Sequence, residues 1–139
     1  MTRYLLDNGP LVALVKGRPG AERMIRPWVE AGEVATSQIV YGEAIEYIVG
    51  DDRYAQRRDE LRAFLRVVKP LGLSYPILER YARPRRSMRA PYGSGLIGDI
   101  DTLIATTALH HGLTLVTLDS DFTRVPGLSL LRLERAALG

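Results

Sequence analysis

The chain of 139 residues contains no cysteine. Disulfides, thiolate metal sites and cysteine nucleophiles are excluded together. Lysine is scarce, with only Lys16 and Lys69 among 19 basic residues. No apolar run approaches the roughly 18 residues of a membrane span. The opening "MTRYLLDNGP" lacks the basic-then-apolar layout of a secretory signal, so the expectation is a cytoplasmic protein with no membrane partner. No internal repeat, glycine-rich phosphate loop or Ser/His/Asp arrangement stands out. What is present is an ordinary globular mixture, 46% hydrophobic and 25% charged. Its length fits one domain spanning residues 1–139.

Hydrophobic periodicity divides the chain into short strands and helices. "RYLLD" is a buried strand that exits through the turn "NGP", and "EVATS", "VVKPLGLS", "LTLVT" and "LSLLRL" are further strands. Helices are predicted over 10–16, 20–31, "SQIVYGEAIEYIVG" with Ser37 as N-cap, and "DDRYAQRRDELRAFLRVV" with Leu61, Phe64, Leu65 and Val68 inward. Two more follow: "PILERYARPRR", and "DIDTLIATTALHHG" closed by Gly112. "DSDFTRVPG" reads as a loop. Strands alternating with helices imply an α/β fold on a mostly parallel sheet, whose sites form beyond the carboxyl ends of the strands.

Acids mark those ends. Asp7 follows "RYLL", and Asp119 and Asp121 follow "LTLVT"; taken singly, each also suits a turn. At about 100° per residue, Glu43 falls among Ile39, Val40, Ala44 and Tyr47 on the apolar face of its helix. A carboxylate there is costly unless it is paired with an arginine or bound to a cation. In "GDIDTLIATTA", Asp101 shares a face with Ile104, Ala105 and Ala108, whereas Asp99 lies about 160° away and suits an N-cap or first-turn position. Asp7, Glu43, Asp101 and Asp119 can therefore converge. Oxygen-only ligands of this kind suit Mg²⁺ or Mn²⁺, and carboxylates holding such an ion suit phosphodiester hydrolysis.

Arginine crowds two places: "RYARPRRSMR" (Arg80, Arg83, Arg85, Arg86, Arg89) and the stripe Arg58, Arg62, Arg66. Both are candidates for RNA or partner contact, because guanidinium forks suit phosphates. A solvated face is the plainer alternative at a net charge of only +3.

The segments "YLLDNGPLVAL", "SQIVYGE" and "DIDTLIATTALHHGLTLVTLDSDF", in this order, resemble the PIN-domain family, specifically VapC-like ribonuclease toxins of type II toxin–antitoxin systems. The resemblance implies a three-layer α/β/α sandwich, a homodimer, an RNA substrate and a cognate antitoxin. It implies that Asp7, Glu43, Asp101 and Asp119 are the catalytic and metal-binding acids. Thr117, Asn8, Ser37 and Asp121 are implied as supporting residues. The first motif departs from the family pattern, with Asn8 and Gly9 where Thr and then Asn or Ser are frequent.

Three other readings compete. A DxDxT phosphatase loop needs a strand before its first Asp, but "YGSGLIG" precedes Asp99 and Leu103 occupies the fifth position. A receiver domain needs an acidic pair at the first strand and a lysine after the last, and neither is present. The third is a catalytically silent PIN-like module for RNA binding or dimerisation. His110 and His111 read as surface or helix-dipole partners, since adjacent helical positions face different ways. Trp28 reads as packing.

Overall fold

Short runs of aliphatic and β-branched residues build the sheet, and parallel pairing explains why they are nearly continuous in hydrophobicity. The structure, a computed structural model, describes residues 1–93 and 95–139; Ser94, within "YGSGLIG", lies outside them. The strands are β1 (Tyr4–Leu6), β2 (Val34–Ser37), β3 (Lys69–Leu71), β4 (Thr114–Thr117) and β5 (Leu130–Arg132). They lie in the order β3-β2-β1-β4-β5, with every neighbouring pair parallel. The register sets Leu6 beside Val116, so the chain leaves β1 and β4 at the same level.

The helices are α1 (Asn8–Val15), α2 (Pro19–Met24), α3 (Arg26–Glu30), α4 (Gln38–Ile48), α5 (Tyr54–Phe64), α6 (Tyr75–Met88), α7 (Asp99–His111) and α8 (Arg135–Leu138). The chain steps outward from β1 to β3, then crosses back to β4. Right-handed crossovers place the helices of these two legs on opposite faces, giving the three-layer α/β/α sandwich. Strand order reverses between β1 and β4, so a crevice opens there at the carboxyl edge. The core of Leu5, Leu6, Leu11, Val40, Ile104, Leu115 and Val116 is fully buried just beneath it. Among the described residues no helix is long and apolar enough to cross a membrane.

Several elements depart from the expected bounds. The helix expected over 20–31 breaks at Ile25, because Pro27 lacks an amide hydrogen and restricts the residue before it. Helix α5 starts three residues late: the Asp51 carboxylate accepts from Arg53 N–H at 2.7 Å and folds residues 51–53 into a turn. It also stops at Phe64, which leaves Arg66 beyond the helix and Val68 buried in the approach to β3. The stripe is thus reduced to Arg58 and Arg62. Residues 120–124 form a 3-10 turn rather than loop, and α8 was not expected. Tyr4 stacks on Trp28 at 4.2 Å, which makes Trp28 a packing residue.

Helix α7 is built to press closely on its neighbours. Ala105 and Ala108 are fully buried, as are Thr102, Thr106 and Thr107. Each threonine hydroxyl donates to the carbonyl four residues earlier, at 2.7–2.8 Å, so burial leaves no orphaned hydroxyl. Gly112 ends the helix in the left-handed region, at φ 65°.

Candidate active site

Each of the four predicted acids sits where an element begins or ends at the carboxyl edge, or on the first turns of a helix that starts there. Asp7 follows β1 directly, and its backbone N–H donates to Val116 O of β4 at 2.9 Å. Its Oδ2 accepts from Thr117 Oγ1 at 2.6 Å, and the same hydroxyl oxygen accepts from Asp119 N–H at 3.1 Å. Thr117, itself fully buried, thus ties the end of β1 to the end of β4. Asp119 in turn accepts from Asp121 N–H at 2.8 Å and opens the 3-10 turn.

Glu43 reaches the same place from α4. Ser37 caps that helix, its Oγ accepting from Ile39 N–H at 3.1 Å. Thr36 donates to Leu6 O at 2.7 Å and fastens β2 to the residue before Asp7. Val40 and Ala44 are buried on the Glu43 face, whereas Tyr47, on the same stripe, is 74% exposed. No arginine pairs with Glu43 among the described residues, and Glu43 Oε1 is buried without a hydrogen-bond partner.

The electrostatics record the convergence. Burial raises Glu43 to about 7, helped by the negative charges of Asp7, Asp101 and Glu46. Burial also raises Asp101 to about 6, with contributions from Asp7, Asp119 and Asp121. Asp7 is raised by burial and by Asp119, against the lowering hydrogen bond from Thr117. Each acid is felt by others of the set, which places them around one space. As the side chains stand, no three carboxylates or imidazoles among the described residues come close enough to enclose an ion. The donor set nevertheless fits a hard divalent cation: every donor is a carboxylate oxygen, none of the four acids forms an ion pair among the described residues, and Glu43 Oε1 lacks a partner.

Two residues apart, Asp99 and Asp101 do different work. Gly98 is the N-cap of α7 and Asp99 the first helical residue, so Asp99 is a first-turn acid without a capping bond. Its Oδ1 accepts from Tyr81 OH at 2.7 Å and meets Arg85 Nη2 at 3.0 Å. Arg85 also donates to Ile97 O at 2.8 Å. This lock fixes the approach to α7 and hence the base from which Asp101 turns inward; neither hydrophobic spacing nor charge signalled it. Arg85 is thereby committed to the fold, with a side chain only 16% exposed. Arg80, Arg83, Arg86 and Arg89 remain exposed, and Arg86 lies 5.4 Å from the Tyr92 ring centroid. Arg58 pairs with its neighbour Asp59, while Arg62 and Arg66 border a shallow surface depression. His110 and His111 meet edge to face at 5.0 Å in the last turn of α7, away from the acids.

The sequence of residues 4–128 matches the family model described as PIN domain. The chain belongs to the PIN-domain family. This PIN domain is 31% identical, over 91% of its length and 93% of the relative's, to Ribonuclease VapC1 of Rickettsia felis. Its fold matches the solved VapBC2 of Rickettsia felis, bound to a DNA fragment from the promoter, with TM-score 0.83. That match covers 96% of this chain and 100% of the other, at 24% identity. DNA-bound VapBC from Salmonella typhimurium also gives 0.83, covering 95% and 98% at 19% identity. At such identities these two structures speak for the fold alone.

Proposed function

We propose that this PIN domain is a Mg²⁺- or Mn²⁺-dependent endoribonuclease, the toxin of a type II toxin–antitoxin system, held in check by a cognate antitoxin and acting as a homodimer. The observation that carries the reading is the set of four mutually repelling carboxylates with the unpartnered Glu43 Oε1 among them. Its likeness to Ribonuclease VapC1 supports RNA as the substrate, and the VapC-like order of its motif segments supports the antitoxin. Asp7 and Asp101 are the first ligands, and Glu43 and Asp119 complete the pocket. A divalent ion held by these carboxylates would supply an activated water and charge neutralisation at the attacked phosphate. The protein supplies orientation: Thr117 holds Oδ2 of Asp7, Asp119 N–H holds Thr117, and the lock at Asp99 holds the base of Asp101. Arg80, Arg83, Arg86, Arg89, Arg58, Arg62 and Arg66 are assigned to RNA or partner contact.

The silent-module reading draws on one observation, that the acids do not enclose an ion by themselves. A single assay separates the two. Purified protein freed of antitoxin should cleave a structured RNA in Mg²⁺ or Mn²⁺, stop in EDTA and resume when the ion is restored. Undiminished cleavage in EDTA refutes the metal assignment, and full activity of Asp101→Ala refutes the site.

A further inference from the structure

On the α1 side of the molecule lies a concavity of about 380 Å³. Its wall includes Asn8 and Leu118, each next in the chain to an acid of the carboxyl edge, Asp7 and Asp119. Three cations line it, Lys16, Arg18 and Arg135, brought together from the end of α1, the entry to α2 and the start of α8. All three are exposed, and none forms an ion pair among the described residues. No Asp or Glu side chain lines the wall. Gly139 also borders it, and its oxygen accepts from Gly20 N–H at 3.0 Å. Tyr47, mostly exposed, contributes an aromatic face with Lys16 Nζ 5.7 Å from the ring centroid. Asn8 Oδ1 is buried without a partner.

These features differ from those of the larger cleft between α1, α4 and α5. There Lys16, which borders both spaces, shares the wall with Asp51 and Glu60, and Arg57 pairs with Asp51 at 3.0 Å, above an apolar floor. The smaller pocket is lined by three basic side chains and an aromatic face. Cations suit phosphates, and an exposed ring suits a base. We infer that this pocket is a nucleotide subsite: it holds the RNA nucleotide flanking the scissile bond, with Lys16, Arg18 and Arg135 on the phosphates and Tyr47 against the base. The inference rests on the ribonuclease reading and adds to it where the strand runs on leaving the acids.

The test measures binding apart from cleavage. A short fluorescein-labelled oligouridylate is titrated by anisotropy in EDTA over a range of salt, with the intact protein and with Lys16→Gln/Arg18→Gln/Arg135→Gln. Arg3→Ala, at the opposite edge of the sheet, controls for lost charge. The triple variant should bind at least tenfold more weakly at low salt. Its slope of log affinity against log salt should flatten by about 2, at about 0.7 per phosphate contact for single strands. Arg3→Ala should change neither. In Mg²⁺ the triple variant should show a raised KM with kcat retained at saturating RNA, which also shows that it is folded. Equal binding by the parent and the triple variant overturns the subsite alone. An equal loss in Arg3→Ala overturns it as general charge. Retained RNA binding with lost binding of a poly-glutamate peptide reassigns the pocket to a protein partner. No RNA binding by the parent overturns the ribonuclease reading and the subsite with it.

Discussion

Like charges gather in two regions of this PIN domain, the acids at the carboxyl edge of the sheet and the arginines along α5 and α6. At the edge, burial raises the proton affinity of Asp7, Glu43 and Asp101, and the charge of Asp7 adds to the rise at the other two. Along α6, Arg80, Arg83, Arg86 and Arg89 are spread over a solvated surface where water and salt screen them. Burial makes the difference: a charge on an exposed face says little about its purpose, while a charge held against apolar neighbours has a cost that something must offset. Arg85 marks the boundary between the two regimes, since it belongs to the arginine cluster by sequence but is held, half-buried, against Asp99 and the Ile97 carbonyl at the entry to α7.

The largest expected contrast is in activity. Asp101→Asn and Glu43→Gln should each lower RNA cleavage by a factor on the order of 10² or more, as removal of a transition-state charge partner does. Arg83→Ala or Arg62→Ala should change KM a few-fold and leave kcat in place. A steady-state comparison on one RNA checks this, and an arginine variant that matches Asp101→Asn breaks the contrast.

Next in size is the response of stability to pH. Glu43 rises from its ordinary 4.5 to about 7, and Asp101 from 3.8 to about 6. Between those values the folded chain keeps protons that the unfolded chain has released, so stability falls as pH rises. Metal-free protein should lose several degrees of Tm between about pH 4.5 and pH 7, the window set by the Glu43 shift. Saturating Mn²⁺ or Glu43→Gln should flatten the loss. A metal-free Tm that climbs across this window contradicts the picture of crowded acids.

A smaller effect tests Arg85 against its neighbour. Arg85→Ala removes a charge-assisted hydrogen bond and an ion pair and should cost about 1.5 kcal/mol in urea unfolding, whereas Arg83→Ala should stay within about 0.5 kcal/mol. Equal costs would place Arg85 back among the solvated arginines. The smallest effect belongs to Asp99→Ala: its side chain is 64% exposed, so the cost should stay under about 1 kcal/mol with cleavage only modestly reduced. Abolished cleavage in a folded Asp99→Ala would reverse the roles given to Asp99 and Asp101.

Much of this organisation was legible beforehand because it follows from local periodicity. Helical angles separated Asp101 from Asp99 and set Glu43 on the buried face, and the runs ending at Asp7 and Asp119 proved to be adjacent parallel strands. Features that depend on chain segments meeting at a distance were not legible. Asp99 is the first-turn acid that was expected, but it also serves an anchor whose partners, Tyr81 and Arg85, lie on another helix. Helix α5 was drawn too long because its apolar spacing continues through Val68, which is buried in the turn that leads into β3 rather than on the helix. The basic pocket beside Asn8 could not be read either. Lys16, Arg18 and Arg135 show no cluster until α8 folds back beside α2, with Gly20 so close to Ala137 that even a methyl group would collide.

The bond from Thr117 to Asp7 spans 110 positions of the chain, which gives the site a temporal character during synthesis. Asp7 and Glu43 leave the ribosome early. Asp101 and Asp119, with the strand that pins Asp7, follow only after most of the chain has emerged. Closing so long a loop comes late in folding, because its entropy must be met before the contact forms. A truncated or half-folded chain therefore holds two of the four acids without their counterparts. The full set of acids comes together only when the fold is essentially complete, as a consequence of topology alone.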